Sequence, residues 1–93
     1  MIKPTVGRVV WYWPSGKAEK ELGAQPLAAQ IAFVHDDHCI NIGYLDRNGF
    51  AYAATSVPLV QEGDEMIPTG PFCEWMPYQK AVASGQQAPT LHA

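Results

Sequence analysis

Ninety-three residues are enough for one domain with one core and too few for two. Hydrophobic residues make up 47% and charged residues 16%, an ordinary globular balance that excludes disorder over most of the chain. A net charge of −3 argues against long nucleic acid as a partner, which asks for a concentrated basic face, but leaves room for a small anionic ligand read by a few cations.

Met1 to Val10 carries no long apolar core, so neither a signal peptide nor a membrane helix is expected there. Val6–Trp13 alternates with period two and is read as the first strand. Val6, Arg8, Val10 and Tyr12 take one face and Gly7, Val9, Trp11 and Trp13 the other, and Pro14-Ser15-Gly16 stops the strand. Lys17 to Gln25, hydrophilic and closed by Gly23 and Pro26, is read as a loop, because so short a segment rarely sustains a helix. Leu27–His35 resumes the alternation with Leu27, Ala29, Ile31, Phe33 and His35 on one side, and Asp36-Asp37 makes a polar turn. Cys39–Leu45 returns with Ile40, Ile42 and Tyr44 sharing a face. Asp46-Arg47-Asn48-Gly49 is the clearest turn, since Asn-Gly accepts the positive φ of a tight hairpin.

Phe50–Thr55 follows as a strand, and Ser56 to Gln61 as a short edge strand or extended link, where Pro58 speaks against a central position. Glu62 to Pro71 is acidic and turn-rich. Phe72 to Tyr78 is the final strand, rich in aromatic residues, with prolines at both ends that oppose helix. The whole predicts an all-β fold: a small antiparallel barrel or rolled sheet of SH3-like size, with five to six strands joined as a meander. Residues 3–80 form the single β-domain and 81–93 a flexible C-terminal tail. An open sheet this small leaves two edges, so either the barrel closes or copies pair edge to edge, and a homo-oligomer is expected.

No residue set announces a reaction. His35-Asp36-Asp37-His38-Cys39 collects potential metal ligands, with Cys73 as a distant fourth, but the spacing is that of a solvent-facing turn. No metal and no cofactor are therefore expected. Cys73 beside Glu74 lacks an oxyanion loop, phosphate-loop patterns are missing among the eight glycines, and the adjacent Asp36 and Asp37 do not form a cleft pair. The chain is read as a non-enzyme. With two cysteines there is no secreted disulfide framework, which points to a reducing cytoplasm.

Three Trp, four Tyr and three Phe are more rings than so small a core needs. Arg8, Trp11, Trp13 and Arg47, with Trp75 and Tyr78, are the candidate ligand- or partner-binding residues, because an indole face beside a guanidinium stacks a ring and pairs a phosphate. The competing reading is a buried Trp cluster with solvated arginines.

Several stretches carry a resemblance: Lys3-Pro4-Thr5-Val6-Gly7-Arg8-Val9-Val10, Pro26-Leu27-Ala28-Ala29, Asp46-Arg47-Asn48-Gly49, Thr55-Ser56-Val57-Pro58-Leu59 and Cys73-Glu74-Trp75-Met76-Pro77-Tyr78-Gln79. Over residues 3–80 the chain resembles a group of small proteins from tailed phages and prophages of proteobacteria. That resemblance implies a context, the cytoplasm of a bacterial host, and no residue roles. Two functions fit it. One is a non-catalytic accessory protein that sequesters a host molecule, such as a nucleotide-like immune signal, in anti-defence. The other is a protein-interaction module, either a virion component or an inhibitor of a host protein.

Overall fold

A computed structural model of the chain describes residues 1–83. Five strands, β1 (Val9–Trp13), β2 (Leu27–Asp36), β3 (Cys39–Leu45), β4 (Ala51–Val60) and β5 (Phe72–Glu74), close into a barrel in the order β1-β2-β3-β4-β5. Two short helices accompany them, α1 (Lys17–Glu21) and α2 (Pro77–Ala83). Neighbouring strands run antiparallel except β4 and β5, which are parallel. An odd number of strands closed on itself must contain one such pair, so the fold departs from a pure meander at that seam. The linker of residues 61–71 carries the chain back along the barrel to begin β5 beside β4.

The barrel interior follows the alternation. Val10 and Tyr12 from β1, Ala29 and Ile31 from β2, Ile40 and Ile42 from β3, Val57 and Leu59 from β4, and Cys73 with Trp75 at its end are buried together. Each fully buried Ile or Leu among them stabilises the fold by about 1.5–3 kcal/mol relative to exposure.

Several expectations need correction. The first strand begins at Val9, not Val6, because Gly7 turns at φ 96°, although Gly7 N–H still donates to the Ile31 carbonyl. Phe33 does not share the interior face with Ile31. A bulge between them turns Phe33 outward and lets Val34 pack on the core instead. Lys17–Glu21 is a helical turn where a loop was expected. Glu19 Oε1 accepts from Ser15 N–H, Lys17 pairs with Glu21 at 3.6 Å, and Gly23 at φ 79° ends the turn.

Ala51–Val60 is one strand, not a strand and an edge link. Its break in register is absorbed at Ser56, at φ 53°, whose N–H donates to Asn41 Oδ1 at 2.8 Å. Pro58 therefore lies between β3 and β5 in a closed sheet, opposite Cys39, with no edge involved. The final strand ends at Glu74, and Pro77 starts a helix, as its fixed φ and missing N–H suit the first helical position. Of the expected tail, residues 81–83 belong to α2 and residues 84–93 lie outside the described residues. Because the barrel closes, edge-to-edge pairing is no longer a route to self-association. No described helix is long and apolar enough to cross a membrane.

Candidate functional site

The strand directions give the barrel two ends. β1 begins, β2 finishes and β3 begins at one, which holds Arg8, the Asp37-His38 turn, Gln61 and Trp75. Trp13, α1 and the Asp46–Gly49 hairpin lie at the other. The six candidate site residues are therefore divided between the ends and do not form one constellation.

At the first end, Trp75 is fully buried and its indole N–H donates to Gln61 Oε1 at 3.1 Å. Gln61 is itself buried, and its amide is fully engaged. Nε2 donates to the carbonyls of Ile2 at 2.9 Å and Asp37 at 2.8 Å, while Oε1 also accepts from Ile2 N–H at 3.2 Å. One side chain thus ties the N-terminal segment, the β2–β3 turn and the end of β5 together. The Arg8 guanidinium lies over the Trp75 ring, 5.8 Å from its centroid. The indole, however, is packed in the core. Tyr78 is half-exposed on α2, which Gln79 Nε2 fastens to the Val9 carbonyl at 2.9 Å.

At the outer side of β1 and β5, Trp13 is buried and donates from its indole N–H to Glu74 Oε2 at 2.6 Å. Glu74 is buried too, and receives Lys20 of α1 at 2.9 Å and Lys80 of α2 at 3.4 Å. Burial pushes the Glu74 carboxyl up, but the hydrogen bonds from Lys20 and Trp13 and the two lysine charges outweigh it and hold the group below the usual carboxylate range. The Cys73-Glu74-Trp75 run is therefore structural on both faces: Cys73 and Trp75 inward, Glu74 outward as the clamp on both helices. Sequence reasoning missed Gln61, Glu74, Lys20 and Gln79. The signal available was a lone acid inside an apolar strand, since such a charge is almost never buried without partners.

The chemistry-bearing groups stay apart. The Cys73 thiol is pushed up to about 12 by burial, which removes it as a nucleophile at neutral pH. His35 bonds to Asn41 Oδ1 and His38 lies 3.4 Å from Asp64. Among the described residues no three His, Cys, Asp or Glu side chains converge in a way that would hold a metal.

The second end carries a groove of mixed polar and apolar lining. Pro26, Leu27 and Leu45 are among its apolar lining, and Gln25, Asp46, Glu19 and Arg47 among its polar lining. Its volume is about 670 Å³, within the range of small-molecule sites. Both acids already serve the backbone: Asp46 Oδ1 accepts from Asn48 and Phe50 N–H, and Glu19 from Ser15. Arg47 forms no ion pair among the described residues and is exposed. Trp11, half-buried, lies opposite Ala28, which also borders this groove.

No family model, curated protein or solved structure matches this chain.

Proposed function

We propose that this chain is a non-catalytic phage accessory protein that binds and sequesters a small anionic, nucleotide-like host molecule. The groove beside Arg47 carries the reading. A guanidinium with no ion pair among the described residues suits a phosphate, the Leu27 and Leu45 lining suits a ring, and Gln25 suits ribose hydroxyls or exocyclic amines. Nothing in that set pairs a nucleophile with a base, so binding without turnover is the chemistry it supports. The resemblance of the Cys73–Gln79 segment to phage and prophage proteins supports the setting, a bacterial host cytoplasm, in which withdrawing a nucleotide-like immune signal would blunt a defence.

The test is calorimetric titration of the full chain with AMP, ADP and cyclic dinucleotides. The expected result is saturable binding of at least one, weakened tenfold or more by Arg47→Ala. That substitution of an exposed side chain should change stability by less than about 0.5 kcal/mol. No binding at millimolar nucleotide, together with recovery of a stoichiometric host-protein complex, would overturn the reading in favour of a protein-interaction module.

A further inference from the structure

The groove at the second end has an uneven charge balance for a phosphate site. Its lining holds one guanidinium, Arg47, and two carboxylates, Glu19 and Asp46. The lysines of the adjoining helix add nothing to it, since Lys20 is committed to Glu74 and Lys17 pairs with Glu21.

Both carboxylates are half-buried and held in place. Asp46 Oδ1 accepts from the backbone N–H groups of Asn48 at 2.8 Å and Phe50 at 2.9 Å. Glu19 Oε1 accepts from Ser15 N–H at 3.3 Å, and the next residue, Lys20, fastens α1 to the barrel through Glu74 at 2.9 Å. Neither acid can withdraw from an entering anion without giving up these bonds. Half-buried charges are also screened less by salt than exposed ones. Arg47, by contrast, is exposed and free of ion pairs among the described residues.

A phosphodiester brings one negative charge, which Arg47 alone can match. A polyphosphate brings a surplus that must face Glu19 and Asp46. A like charge about 6 Å away lowers affinity roughly threefold in bulk water, and more beside a half-buried carboxylate. Discrimination of this kind comes from a repulsive group built into the site as much as from attraction.

We infer that the groove selects a ligand carrying a single negative charge, a phosphodiester over a polyphosphate, with Glu19 and Asp46 as the residues that set the preference. The inference rests on the ligand reading above and narrows it from small anions in general to monoanionic phosphodiesters. The chain's net charge of −3 acts in the same direction, since it opposes the approach of a highly charged anion.

Calorimetric titration of the full chain with adenosine, cyclic AMP, AMP and ATP varies the charge while the base stays the same. Cyclic AMP should bind tightest. Adenosine should be weaker because it offers Arg47 no charge, and ATP should be weaker than cyclic AMP by at least tenfold. Glu19→Gln removes the charge and keeps an acceptor oxygen for Ser15, so its melting temperature should hold while the gap between cyclic AMP and ATP shrinks threefold or more. A gap set by the bulk of ATP would not shrink. If that variant fails to fold, Asp46→Asn, which likewise keeps its acceptor, decides by the same measure. ATP or adenosine binding as tightly as cyclic AMP, or a gap unchanged in the variant that folds, would overturn the inference and leave the ligand reading standing. Binding of none of the four at millimolar concentration would overturn both.

Discussion

Glu74 is buried, yet it stays ionised because Trp13, Lys20 and Lys80 surround it. Lys20 and Lys80 are each about a third exposed, so the arrangement is neither a solvated surface pair nor a sealed ion pair. Glu74→Gln should destabilise the fold by about 2 kcal/mol, the scale of losing hydrogen bonds to a charged group, as read by urea denaturation. The sign of the pH dependence follows from the lowered folded-state pKa. The contribution is fully present above the unfolded-chain value of about 4.3, and is lost as pH falls through the lower folded value. Wild type should lose stability across that acid window more steeply than the Gln variant, and equal slopes would show that the carboxylate is not held this way. Gln61 presents the neutral counterpart. Gln61→Leu strands the Trp75 indole N–H and the Ile2 and Asp37 backbone groups in or near the core, and should cost about 2–4 kcal/mol by the same measurement.

At the scale of elements, the turn between β1 and α1 depends on a single glycine. Gly16 has φ 75° and faces the backbone of Thr69 and Gly70 so closely that a Cβ would collide with both carbonyls. Gly16→Ala should therefore lower the melting temperature sharply, by an amount expected for about 2 kcal/mol or more, whereas Gly23→Ala, with open space around it, should pay only for its positive φ. The contrast shows how much of the fold was legible beforehand. β3 could be read to the residue, because Ile40, Ile42 and Tyr44 alternate without interruption and Asn48-Gly49 defines the following turn. α1 could not, since a five-residue helix has little intrinsic stability and is held by Lys20 reaching Glu74, a partner 54 residues away. The bulges at Phe33 and Ser56 were hidden for a related reason: period-two reading assumes an unbroken register, and only the partner strands reveal the extra residue. The candidate site was legible as residue types and not as a place. Arg8 does meet Trp75, but the indole is consumed by the core, and Arg47 belongs to the opposite end of the barrel.

For the molecule as a whole, closure removes the sheet edges at which small β-proteins ordinarily fray. Cys73 reports on that closure. It is fully buried in β5, opposite Tyr12 of β1 on one side and Leu59 of β4 on the other, at the seam where the ring is completed. Cys39, half-buried at the start of β3, is a built-in reference thiol. Burial suppresses Cys73 twice over, by blocking reagent access and by raising the thiol to about 12, so that almost no thiolate exists at neutral pH. If β5 cannot leave without opening the barrel, Cys73 reacts only from the globally unfolded state. A domain of this size is worth about 3–5 kcal/mol, so labelling of Cys73 should be slower than that of Cys39 by a factor between about a hundred and several thousand. The Cys73 rate should also rise with urea at the slope of global unfolding. Mass spectrometry of alkylated peptides measures both thiols in one sample. A Cys73 rate near that of Cys39, or one insensitive to low urea, would mean that the β4–β5–β1 seam opens locally and that the three-residue strand β5 is a latch on the barrel.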